Sequence, residues 1–91
     1  MQVQVSINKM NSGRLQVFVK RIGPSVSTGP VVTYREEADA RKVLATFGFS
    51  QEIIDGRLEM LLTDFGPNES LPFPEADIPV GVLHSHGFLA I

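Results

Sequence analysis

The 91 residues contain no cysteine. Disulfides, thiolate metal sites and a cysteine nucleophile are therefore excluded. No apolar run approaches the roughly 20 residues needed to cross a bilayer. No charged-then-apolar leader opens the chain. A soluble, cytoplasmic protein with no membrane partner is the expectation. No serine sits in a G-x-S-x-G elbow. The glycine-bearing stretch GPSVSTGP lacks the lysine and the following helix of a phosphate loop. Nothing here points to a cofactor or to catalytic residues, and an enzyme would have to draw its chemistry from scattered positions.

Acid is also missing from one end. Residues 1–35 hold Lys9, Arg14, Lys20, Arg21 and Arg35 and no Asp or Glu, a net +5. Residues 36–91 hold ten acids against Arg41, Lys42 and Arg57, a net −7. Such a dipolar chain can associate head to tail or steer an anionic partner to one side. Alternatively, the two halves neutralise each other within the fold. Ninety-one residues make one small domain, spanning 1–91, with an expected stability of about 5–14 kcal/mol.

The strongest local pattern is a pair of helices, predicted over 36–47 and 51–62. Ala40, Val43, Leu44 and Phe47 fall at the spacing of one apolar stripe. Glu36, Glu37 and Asp39 stand in the first turn, where the helix dipole favours negative charge. Gly48 ends the helix in the left-handed conformation, and Phe49 folds back as in a Schellman cap. Ser50 is the N-cap of the second helix, with Phe49 and Ile54 at hydrophobic-staple spacing. Ile54, Leu58, Leu61 and Leu62 carry its apolar stripe. Gly56 costs about 1 kcal/mol relative to Ala unless it permits a close approach.

Residues 1–7 alternate strictly, with Val3, Val5 and Ile7 on one face. Asn8 to Gly13 reads as turn chemistry. The stretch 14–22 is a second strand, with Leu15, Val17 and Val19 inward, and 31–34 a third. The eight-residue loop between them leaves the third strand free to lie beside either of the first two. Between Thr63 and Pro79, four prolines argue against a regular element and for an extended strap over the core. A short helix is predicted over 79–86. It ends in V-L-x-x-x-G-F (residues 82–88), the pattern already present at residues 43–49, so one capping solution is expected twice. The architecture predicted is α+β: a three-stranded antiparallel sheet (2–7, 14–22, 31–34), two main helices on one face and the C-terminal helix.

His84 and His86 are the two histidines. On a strand they would share a face and could share a metal. On a helix they lie about 200° apart and cannot chelate together. The glycine cap favours the helix, which makes them weak metal candidates.

The hairpin's outward residues include Arg14, Gln16, Phe18 and Lys20, and Phe18 is the exception among them. An aromatic amid cations and amides on a sheet suits a single-stranded nucleic-acid platform. It equally suits a contact between sheets or edges of two protein chains. It could also be covered by the Leu71–Phe73 strip or by the apolar tail from Phe88 to Ile91. The stretch GFSQEIIDGRLEMLL (residues 48–62) resembles part of a ubiquitin-associated three-helix domain. The hairpin before it does not belong to such a domain, and the resemblance implies no function. The expectation is a small interaction or assembly module that forms a homodimer or meets another protein. Its candidate contacts are Arg14, Gln16, Phe18, Lys20, Leu71, Phe73, Phe88 and Ile91. The alternative is a ligand- or nucleic-acid-binding domain using Arg14, Phe18, Lys20 and Arg21.

Overall fold

The structure, a computed structural model, describes residues 1–23, 31–66 and 69–88, apart from the Tyr34 side chain. The alternation at the start of the chain runs two residues beyond its expected end. Strand β1 is Gln2–Lys9, so Asn8 belongs to the strand and the turn begins after Lys9. Gly13 closes that turn at φ 86. Strands β2 (Leu15–Arg21) and β3 (Val31–Arg35) follow as an antiparallel meander. The third strand thus lies beside the second. Val3, Val5, Ile7, Leu15, Val17 and Val19 are fully buried, as their alternation requires.

Helices α1 (Glu37–Thr46) and α2 (Gln51–Asp64) lie within two residues of their expected bounds. Ala40, Val43, Leu44 and Phe47 of the first stripe are buried, as are Ile54, Leu58 and Leu61 of the second. Leu62 is exposed, the one departure in these stripes. Ser50 caps α2, its hydroxyl accepting from Ile53 N–H. Between the helices, Gly48 stands at φ 99. Phe49 N–H donates to Leu44 O at 3.3 Å and Gly48 N–H to Ala45 O at 3.0 Å, the pair of bonds that defines a Schellman motif. A Cβ at Gly56 would meet nothing within 4 Å, so that glycine is a surface position and permits no close approach.

The same cap recurs on α3 (Val80–Ser85). Gly87 has φ 94, with Phe88 N–H on Leu83 O at 2.9 Å and Gly87 N–H on His84 O at 3.1 Å. The two caps meet through aromatic rings. Phe47 lies 5.9 Å from Phe88 and edge-on to His86. Gly87 packs against Thr33 of β3, which carries the end of α3 beneath that strand.

The proline strap is the correction to the expected fold. It contributes two short strands, β4 (Ser70–Pro72) and β5 (Ala76–Asp77), both antiparallel to β1, and the sheet has five strands in place of three. The hydrogen-bond phase explains why Pro72 is tolerated. Met10 N–H reaches Arg14 O and Ile22 N–H reaches Gln2 O, so the even-numbered residues of β1 face β2. Odd-numbered residues face the strap, where Phe73 N–H meets Val5 O at 2.8 Å and Ile78 N–H meets Met1 O at 2.9 Å. Pro72 stands opposite Ser6, a pair that exchanges no backbone bonds. The N–H that Pro72 lacks would point away from the sheet, the situation in which an edge strand accepts proline. Stretch 48–62, which resembles a three-helix domain, is here one cap and one helix of an α+β fold. No helix among the described residues is long and apolar enough to cross a membrane.

Candidate binding face

Strand alternation sends Gln4, Ser6, Gln16, Phe18, Lys20 and Val32 to the side of the sheet opposite the buried set. The register draws four of the outward positions into one row across the sheet: Val32, Phe18, Ser6 and Pro72. Phe18, Ser6 and Val32 are half-buried and Pro72 is exposed. Phe18 lines a shallow depression of about 250 Å³ together with Gln4, Ser6, Lys20 and Ser70. The Gln4 amide donates to the Phe73 carbonyl, which fixes one wall of the depression to the strap.

Past Lys20 the surface continues into a more polar cleft of about 390 Å³, whose lining includes Lys20, Arg21 and Glu75. Lys20 and Arg21 are exposed and enter no ion pair among the described residues. Strands β1, β2 and β3 place no acid on the outward face. Arg14, at the rim, is held by Glu36 at 3.0 Å. That pair joins the basic and acidic parts of the chain. Arg41, by contrast, pairs within the acidic part, with Glu37 and Asp55. Two hydrogen bonds on the Asp55 carboxylate, from the Gln51 amide and then from Arg41, hold its pKa below the usual 3.8.

The face contains one buried polar residue that the sequence reading assigned to a turn. Asn8 is 5% exposed. Its amide donates to Gln16 Oε1 at 2.8 Å, while its Oδ1 is buried without a hydrogen-bond partner among the described residues. Its place on the face was recoverable, because Asn8 continues the even-numbered series of Gln2, Gln4 and Ser6.

Arg14, Gln16, Phe18 and Lys20 thus stand on one side of the sheet, as their spacing implied. The other contact candidates fall elsewhere. Phe73 is 2% exposed; its ring lies 4.8 Å from Phe49, with the Arg57 guanidinium over it at 5.6 Å. Phe88 is fully buried, and Leu71 packs half-buried on the core. All three are spent on the chain's own interior, because the strap and α3 close the core that the hairpin begins. Ile91 lies outside the described residues. His84 is exposed on α3 and His86 forms its C-cap, its carbonyl accepting from Arg35. Among the described residues no three His, Asp or Glu side chains are grouped to hold a metal ion.

No known family model, curated protein or solved structure matches this chain.

Proposed function

We propose that this chain is a small non-enzymatic assembly module that self-associates through the outward face of its sheet. The observation that carries this reading is a shallow hollow on the outward face with an aromatic ring in its lining. Phe18 is half-buried and lines the depression together with Gln4, Ser6, Lys20 and Ser70. A two-fold contact requires a patch that complements itself, and in this reading the Phe18-lined hollows of two copies lie face to face, ring against ring. The apolar row from Val32 to Pro72 extends the contact across the sheet, and α1, α2 and α3 all pack on the opposite side.

Phe18→Asp is expected to halve the mass measured by light scattering. The substitution should change folding stability by less than about 1 kcal/mol, as for a surface position. An unchanged mass with native circular dichroism would remove Phe18 from the contact.

A second reading is favoured by Lys20 and Arg21, which line one cleft with Glu75 and have no ion-pair partner among the described residues. In that reading single-stranded nucleic acid stacks on Phe18 while the cations hold phosphate, and affinity falls steeply with salt. The absence of amide shift changes on adding an oligonucleotide at low salt would end it.

A further inference from the structure

The five-stranded sheet has two edges, and they are built differently. The strap edge carries Pro72 in β4, with Pro74 just beyond it. Proline, charge and bulges are the devices by which sheet edges resist further pairing. The β3 edge reads Val31-Val32-Thr33-Tyr34-Arg35. It contains no proline or glycine and three β-branched residues, the composition that favours strand pairing. Among the described residues its one neighbour is β2.

The hydrogen-bond phase fixes what this edge offers. Even-numbered residues of β2 bond to β1, as Ile22 N–H on Gln2 O illustrates. Odd-numbered residues of β2 therefore turn to β3, where Leu15, Val17 and Val19 oppose Arg35, Thr33 and Val31. The backbone N–H and C=O groups of Val32 and Tyr34 are left pointing off the edge. Two donors and two acceptors, placed symmetrically about Thr33, make a palindrome.

We propose that a second copy of this chain adds to this edge, β3 against β3 and antiparallel, about a two-fold axis through Thr33. Val32 of one copy and Tyr34 of the other then exchange both backbone bonds. The symmetry repeats the exchange, giving four bonds in all. Thr33 stands opposite its own equivalent, in a position without backbone bonds. Val31 falls opposite Arg35. The strand's one charge thus meets an apolar residue and no second cation. Arg35 is already anchored on its own chain, through Thr33 Oγ1 and the His86 carbonyl, so the contact costs it little further side-chain freedom. The product is one sheet running through both copies. This contact uses the backbone edge at Val32, whereas the outward face uses its side chain, and it holds whether or not Phe18 forms a contact.

The test compares Val32→Pro with Val32→Thr. The N–H at residue 32 takes no part in the chain's own sheet, so proline removes a donor from the edge and none from the fold. Threonine keeps both the donor and the β-branched shape. Light scattering should give Val32→Pro half the mass of Val32→Thr, with matching circular dichroism. Equal masses for two folded variants would overturn the proposal. If proline at 32 unfolds the chain, Thr33→Cys decides. Residues opposite each other without backbone bonds have Cα atoms about 4.5 Å apart, within disulfide reach, and the chain has no other cysteine. Oxidation should link Thr33→Cys into dimers much faster than Lys42→Cys on the exposed side of α1. Equal rates would reject the pairing. Phe18→Asp separates the two contacts. If it leaves a dimer that Val32→Pro then dissolves, both interfaces stand. If it leaves the mass unchanged, the outward-face reading fails and the edge proposal is still decided by residues 32 and 33.

Discussion

The two edges of this sheet meet the same problem with opposite means. The strap edge is closed by side chains that reach inward and by polar pins. Phe73 and Ile78 are buried. Arg57 Nε donates to Pro72 O at 2.8 Å, and Gln4 donates to Phe73 O. Proline then denies a further strand its donor. The β3 edge has one anchor, Arg35, and a run of residues suited to pairing. A sheet that is guarded on one side and open on the other can add a single partner without growing into a fibre, because each addition uses up the open edge.

The sharpest way to break this contrast is Phe73→Ala. Removing a buried phenyl ring costs about 3–5 kcal/mol, a large share of the stability expected for a chain of this size. It also frees the strap, so the guarded edge becomes a second open one. Denaturant unfolding should register the loss, and light scattering a rise in mass beyond that of the wild type. A stable variant of unchanged mass would mean that the strap is held by its polar pins alone.

The twin caps allow a finer comparison, since Phe49 leads to the strap and Gly87 lies under β3. Gly48→Ala and Gly87→Ala each force a left-handed alanine, at about 1–2 kcal/mol. The added Cβ meets nothing within 4 Å at Gly48 and ordinary contacts at Gly87, 3.5 Å from Thr33 Cγ2 and 3.9 Å from Arg35 Nη2. The two losses should therefore agree in thermal unfolding. A much larger loss at Gly87 would show that the open edge depends on the seating of α3 more than the guarded edge depends on its own cap.

Two substitutions away from both edges serve as the baseline. Gly56→Ala on open α2 surface should raise stability by about 1 kcal/mol and leave the mass alone; a loss would mean that the added methyl group meets a neighbour there. Arg41→Ala should move Asp55 titration, followed by NMR, toward its ordinary 3.8. The sign follows from the lowered value. Ionised Asp55 supports the fold above 3.8, and that support disappears as pH falls through the lower native pKa. If Arg41→Ala leaves the titration unmoved, the Gln51 amide alone accounts for the shift.

Much of this architecture could be read from local patterns. The alternation of Val3, Val5, Ile7, Leu15, Val17 and Val19 gave the buried side of the hairpin, and the two Gly-Phe corners gave both helix ends, because each is decided by neighbours in the chain. The strap was not legible for the converse reason. Whether Pro72 interrupts a strand depends on which way its missing N–H points, and that is set by its pairing with Ser6, far away in sequence. Phe73 and Phe88 looked like contact residues because an apolar residue in a proline-rich or terminal stretch has no local partner; their partners are Phe49 and Phe47. Phe18 stood out from its place in the alternation alone. The hollow it lines depends on Ser70, and so on the same distant pairing.

The strap also sets an order of events in time. β1 finds β2 across a short turn, and β3, α1 and α2 follow by local steps, which are the fast ones. The partner of Ser6 on its other side is Pro72, so that edge of β1 stays bare until the chain has been made past the strap and a long loop has closed. A nascent chain therefore passes through a stage with both edges open, one of them the unpaired N–H and C=O row of its most regular strand. Pro72 and Pro74, which guard the finished sheet, are made after β1, β2, β3, α1 and α2, and until then the protection of β1 must come from the speed of closure or from the cell.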